Sequence, residues 1–343
     1  MLELIFPLSA LLITFFGIIP LLTLLSARLL ARRRRAGRWI DFGSDSTFTL
    51  LVAPTLLPLG WLVSAALHQS EPSRALRACL IDHEATSCLD AIVLLGLLGS
   101  ILGLLLLRHG WRERSAETGT ALALSEPLAA RIRRLVEADA RLAGLRVVVV
   151  RRGPAPVFLH GLLRPRIALD ACFARDSDDA ILRAALLHER AHLRARDTMR
   201  LLLAGICREL NPLGHLLVAD FERWRRAREA RCDSEAIHMG GEPLALAEGI
   251  LRAARFRCSE WISPDLLGLV GHDALTLRLR VALLTRSARG SQIERAASGT
   301  EPGRPRLGAQ LLLGLALLGL IVLPHLGGPG VLEHFHFAVE DLL

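Results

Sequence analysis

The fold class predicted by the sequence is an α-helical membrane protein with four transmembrane helices and one inserted domain, mainly α (α+β) with a small antiparallel sheet. Three observations predict it. Four apolar runs, about Leu2–Leu25, Thr47–Leu67, Ala91–Leu107 and Leu307–Leu326, each approach the ~20 residues that cross a bilayer's hydrocarbon core. Between the third and fourth lies an arginine-dense segment, 108–306, the one stretch large enough to bury a water-soluble core. Inside it, the run His188-Glu189-Arg190-Ala191-His192 sets two imidazoles four residues apart, on one face of a helix. The bulk composition agrees, since 52% hydrophobic residues over 343 positions and a mean hydropathy of +0.39 exclude an ordinary soluble protein.

The spans come first. The N-terminus of the first run has no basic residues and carries Glu3 instead, and its positive charge follows in Arg28, Arg32, Arg33, Arg34 and Arg35. That is the pattern of a retained helix whose C-terminal end stays in the cytoplasm, not of a cleaved signal peptide. The positive-inside rule then puts 28–46 and 108–306 inside, and 68–90 and the tail 327–343 outside. Gly99 and Gly103 give the short third run a GxxxG face suited to close helix packing. Net charge of +8 and a pI near 10.5 read as topology charge and contact with the anionic lipid bilayer, with no direct nucleic-acid binding expected. Cys79 and Cys88 fall in the external loop 68–90, placed to close a short disulfide, while Cys172, Cys207, Cys232 and Cys258 are expected as free thiols. No CxxC pair is present, which argues against a cysteine metal site. The expected division is a three-helix membrane region 1–107, a cytoplasmic domain 108–286, a linker 287–306, the fourth span 307–326 and a short external tail 327–343.

The insert follows in order. Leu128, Ile132, Leu135 and Ala138 recur at helical spacing and predict a helix over Glu126–Gly144. Val147–Val150, Val157–Leu163 and Arg166–Leu169 read as strands, separated by the breakers Gly153, Pro154, Pro156 and Arg164-Pro165. Asp176, Asp178 and Asp179 mark a helix start, with acidic groups at the positive end of its dipole. That helix runs over Ala180–Asp197 and carries both histidines. Asn211-Pro212 breaks the chain before a long helix over about Leu213–Ile237, and another is expected around Leu275–Leu284. Ser287–Arg306 is polar, rich in Gly and Pro and without period.

The HExxH spacing suits a shared zinc ion, with Glu189 beside it as general base toward a metal-activated water. A third ligand is needed. Ala195 and Thr198 stand where the metzincin pattern requires Gly and His, so that solution is excluded. A second helix offers Glu229, with Asp233 one turn later to orient a ligating histidine; Glu222 and Glu235 are rival carboxylates without such an Asp. Asp197 is a further outer carboxylate. The chain has no Tyr, so His238 and Arg280 are the candidates to support an oxyanion. Cys232 reads as a small packing residue rather than a nucleophile.

HERAH with Arg196-Asp197, then Asn211-Pro212-Leu213, then Glu229…Cys232-Asp233, together with Gly161-Leu162-Leu163-Arg164-Pro165-Arg166-Ile167 upstream, resembles the BlaR/MecR-type membrane metallopeptidases. The likeness covers roughly Glu126–Leu284 and the layout of the spans. It implies a gluzincin-like peptidase domain in which His188, His192 and Glu229 bind Zn2+ and Glu189 is the general base. It also implies a bacterial inner-membrane protein that hydrolyses a protein or peptide substrate, such as a transcriptional repressor or membrane protein, in antirepressor-like signalling. Gluzincins bind substrate as an added strand, and Val157–Leu163 is the segment expected to receive it. Antibiotic-sensing relatives carry a penicillin-binding domain after the fourth span. Only residues 327–343 follow it here, so β-lactam sensing is not expected of this polypeptide. Two alternatives stand beside this reading: a quality-control protease for membrane proteins, and a catalytically silent zinc-containing signalling or scaffold protein.

Overall fold

The computed structural model describes residues 11–37, 39–69, part of 96–108, 126–255 except 152, 154 and 163, and 274–294. Helix α1, Leu11–Ala36, opens with a π-helical turn at Thr14–Ile18, just before Pro20, which cannot donate a backbone hydrogen bond. A 3-10 turn, Trp39–Gly43, leads into α2, Asp45–Gln69, which contains Pro54 and Pro58. Leu11–Ala36 and Asp45–Val63 are long and apolar enough to cross a membrane. Phe16 and Leu21 on α1 are 72% and 68% exposed, where the core helix of a soluble protein would bury them. The described part of the first apolar run, from Leu11 to Leu25, therefore lies in a helix that continues through the arginines to Ala36. Of the third span, the described residues between 96 and 108 are helical. The fourth span and Cys79 and Cys88, with most of loop 68–90, lie outside the described residues.

The rest is mainly helical around three strands: α3 (Pro127–Ala138), β1 (Val147–Val150), β2 (Val157–His160), β3 (Arg166–Asp170), α4 (Ala171–Asp176), α5 (Asp179–Ala195), α6 (Asp197–Leu210), α7 (Val218–His238), α8 (Pro243–Arg255) and α9 (Ala274–Glu294). The sheet is mixed, which corrects the expectation of an antiparallel one. Its order is β1-β3-β2: β2 pairs antiparallel with β3 (Phe158 opposite Ala168), and β1 pairs parallel with β3 (Val148 opposite Ala168). The reason is local. Gly161, at φ +91°, permits the tight β2–β3 return. The 151–156 connection then carries the chain past β3, held by Gly153 N–H donating to Asp170 Oδ2 at 2.9 Å. Ile167 and Leu169 on the central strand are fully buried.

The helix expected over Ala180–Asp197 stops at Ala195. Arg196 takes the left-handed conformation (φ +54°, ψ +43°), and Asp197 begins a new helix, α6, that spacing alone did not announce. Asp178 caps the start of α5 by accepting Ile181 N–H at 2.9 Å. The helix expected from Leu213 begins with a 3-10 turn, Gly214–Leu217, before α7, and α8 is an added helix. α9 continues to Glu294, into the stretch read as linker.

Two cores result. One joins the sheet to α5, α8 and α9 through Ile167, Leu169, Leu182, Leu186, Ile250 and Leu284. The other joins the α1–α2 hairpin to α6 and α7 through Leu30, Phe42, Phe48, Leu51, Ala204, Cys207, Trp224 and Ala227. Polar ties reinforce the second: Thr55 Oγ1 donates to Cys207 O at 3.1 Å, and Asn211 Nδ2 donates to Thr23 Oγ1 at 2.8 Å. The second core thus packs the hairpin directly against α7, the helix that carries Glu229.

Candidate metal centre

α5 and α7 lie side by side and bring the sequence-predicted groups together. His188 and His192 are one turn apart on α5, and their Nε2 atoms lie 3.2 Å from each other. Glu229 enters from α7, with Oε2 3.5 Å from His188 Nε2 and Oε1 3.6 Å from His192 Nε2. Donors arranged tetrahedrally at 2.0–2.1 Å from a zinc ion stand about 3.3–3.4 Å apart. The Nε2–Nε2 separation is close to that edge length and each Nε2 has a Glu229 oxygen within 3.6 Å, so the donor set can hold a small divalent cation. Histidines and glutamate are all buried. Glu222 and Glu235, the rival carboxylates, are engaged elsewhere: Glu222 with Arg225 at 2.8 Å, and Glu235 with Arg228 at 3.5 Å.

Each imidazole is oriented from behind. His188 Nδ1 is 2.9 Å from Asp233 Oδ1, and His192 Nδ1 is 2.8 Å from Asp197 Oδ2. The His188 contact is a close charge pairing with Asp233; the His192 contact is a hydrogen bond, and an Nδ1–H donated to Asp197 turns the Nε2 lone pair inward. The left-handed Arg196 makes the second contact possible. It folds α6 back on α5, so that Asp197 returns to His192 five residues upstream.

Behind each aspartate stands an arginine. Arg280 on α9 donates through Nε to Asp233 Oδ2 at 2.7 Å and through Nη2 to Asp233 Oδ1 at 2.8 Å. Its Nη1 lies 3.1 Å from Glu229 Oε2. Arg228 on α7 donates through Nε to Asp197 Oδ2 at 2.8 Å. Arg228 is a site residue that the sequence does not single out; its place directly before Glu229 is the one local signal. Arg280 was considered as an oxyanion support, but the structure commits its guanidinium to the carboxylates. His238 is exposed at the last position of α7, nine residues past Glu229 and so about 13 Å along the helix axis at ~1.5 Å per residue. It is not brought into the cluster. Cys232 is fully buried beside the His192–Asp197 pair, its Sγ 3.4 Å from His192 Nδ1.

The electrostatics divide the carboxylates. Burial opposes charge on Glu229, yet His192, Arg280 and His188 outweigh it and bring its pKa down to about 2. Asp233 is likewise held low against burial by Arg280 and His188, and Asp197 by His192 and Arg228. Burial also opposes charge on His188, but Asp233 and Glu229 raise it to about 9. Glu189 differs from the other carboxylates: burial dominates and raises its pKa, and neither carboxylate oxygen has a hydrogen-bond partner. A buried, unsatisfied carboxylate is costly and marks a group held for something other than stability.

The family model described as BlaR1 peptidase M56 matches residues 62–259 of the chain. A search among curated proteins finds no match.

Proposed function

The chain belongs to the BlaR1 peptidase M56 family, a membrane-associated metallopeptidase family, and from that premise we propose that it is a zinc endopeptidase in which Glu189 is the general base. The carrying observation is the convergence of two Nε2 atoms and the Glu229 carboxylate at 3.2–3.6 Å, next to a buried glutamate with no partner of its own. In this reading His188, His192 and Glu229 hold the metal. Bound zinc supplies Lewis acidity, acidifying water and polarising a peptide carbonyl.

The chain's own residues do the rest. Asp197 accepts from His192 Nδ1, and Asp233 lies against His188 Nδ1 at 2.9 Å; together they keep Nε2 directed at the metal position. Glu189 accepts the proton of the attacking water and returns it to the leaving amine. Its burial suits that exchange, because a carboxyl group in an apolar setting holds a proton more readily than one in water. A purely structural zinc site would have no use for an unsatisfied glutamate there, which favours the enzyme over the silent scaffold. β2 is an edge strand packed near α5, with β3 on one side and no strand on the other among the described residues. It is the proposed seat of an extended substrate segment. We place the site at the cytoplasmic face of a bacterial inner membrane, with a regulatory protein or membrane protein as substrate, on the charge pattern around α1 and on the family.

Elemental analysis of the purified chain and of Glu229→Ala tests the metal assignment. Near-stoichiometric zinc in the first and its loss in the second is the expected result. Full zinc in Glu229→Ala would move the third ligand elsewhere.

A further inference from the structure

The stretch that matches the family model ends at residue 259, yet α9, Ala274–Glu294, reaches the centre of the site. Thr276, Arg280 and Leu284 recur every four residues and are at most 2% exposed, so one stripe of α9 faces inward. Leu284 anchors that stripe in the core with Leu246 and Ile250 of α8. This packing seats a fully buried guanidinium against two carboxylates one turn apart on α7. Arg280 grips both oxygens of Asp233, at 2.7 and 2.8 Å, and reaches Glu229 Oε2 at 3.1 Å.

We propose that Arg280 is a positioning residue of the metal centre, making α9 an integral part of the site. The inference rests on the zinc reading above. One guanidinium fixes the carboxylate that orients His188 and restrains an oxygen of the ligand Glu229, so a single side chain sets the direction of two of the three metal ligands. It also reduces the charge of the Glu229–Asp233 pair from two negatives to one, leaving one for the cation. Two effects of Arg280 oppose each other: its charge repels the cation, and its fork holds the ligands in place. Geometry is the stronger here, because both carboxylates are buried and a displaced ligand has no water to settle into. A lysine would keep the charge but not the paired bonds.

The test is zinc affinity of the full chain in detergent, measured by competition with a chromophoric chelator. Arg280→Lys, Arg280→Gln and His188→Ala are compared with the native protein, and the melting of each metal-free form is followed alongside. Both Arg280 variants are expected to bind zinc about 10–100-fold more weakly, the usual cost of losing an outer partner of a ligand. Native affinity in Arg280→Lys, or native or tighter binding in Arg280→Gln, overturns the proposal. If Arg280→Gln does not fold, Asp233→Asn with Arg280→Gln removes both buried charges together, which costs less than removing one. Zinc binding weaker in that pair than in Asp233→Asn alone supports the proposal, through the lost hold on Glu229, and equal binding refutes it. Loss of zinc in His188→Ala with none in the Arg280 variants defeats this inference alone. Retention in His188→Ala defeats the zinc reading itself.

Discussion

Gly43 is where the α1–α2 hairpin touches α7, the helix that carries Glu229, and adding one methyl group there tests how firmly. A Cβ built at Gly43 would lie 2.7 Å from Ala227 C and 2.8 Å from both Ala227 O and Arg228 N. These are backbone atoms of α7, directly before Glu229, and they cannot swing aside. Ordinary contact begins near 3.4 Å, so in Gly43→Ala the turn Trp39–Gly43 must retreat by about 0.7 Å, a gap that forfeits a quarter to a half of the dispersion energy across it. Phe42, buried beside Trp224 and Ala227, is the main loser; burial of such a side chain is worth about 1.5–3 kcal/mol. With the strain of overpacking, the expected loss is about 1–3 kcal/mol. Thermal unfolding of the full chain in detergent would show a midpoint lower by about 2–12 °C, taking roughly 2–4 °C per kcal/mol. Gly290→Ala is the control of opposite sign. Its Cβ meets nothing within 4 Å on α9, so helix propensity should raise stability by about 0.5–1 kcal/mol. A native midpoint in Gly43→Ala would show that the hairpin turn does not rest on the backbone of α7.

Two further outcomes follow from the same geometry. Asp197→Asn removes the charge that His192 Nδ1 and Arg228 share; zinc affinity should drop about 10–100-fold and folding stability by about 1.5–3 kcal/mol, the worth of a hydrogen bond to a charged group, read from chelator competition and denaturant midpoints. Unchanged affinity would separate Asp197 from the ligand it touches. A polar maleimide on the folded protein should modify exposed Cys172 and spare buried Cys207 and Cys232 until denaturant is added, as mass spectrometry of peptides would show. Burial pushes the Cys207 thiol up to about 12 and Cys232 well above its usual range, so neither supplies thiolate at neutral pH. Rapid labelling of Cys232 would mean that the centre is open to solvent.

The parts of the site legible in the sequence were those written in helical spacing. His188 and His192, and Glu229 and Asp233, are four apart, and a four-residue step puts side chains on one face wherever the helix goes. That the two helices meet was inferred from resemblance and is visible in the distances. What spacing does not encode is where a helix bends back. Arg196 in the left-handed region is a single backbone choice, yet it splits the expected helix at Ala195 and returns Asp197 to His192. The parallel β1–β3 pairing escaped for a similar reason: three short apolar strands satisfy either direction, and the path of 151–156 decides. Arg280 was read as a candidate for the reacting carbonyl because nothing local shows that α9 docks with that residue inward. The first apolar run marked where α1 is hydrophobic, not where it stops, since arginines are good helix formers and carry the helix on to Ala36.

The measurement closest to the central claim is Glu189→Gln in the full chain, assayed for bound zinc and for cleavage of a peptide and protein panel beside the native protein. Glu189 is not one of the three donors converging on the metal position, and its oxygens hold no structural partner. The account predicts undiminished zinc, an unaltered or slightly higher melting point, and proteolysis reduced by at least about 100-fold, the scale of a lost general base. Native cleavage rates in a zinc-loaded Glu189→Gln protein would contradict it.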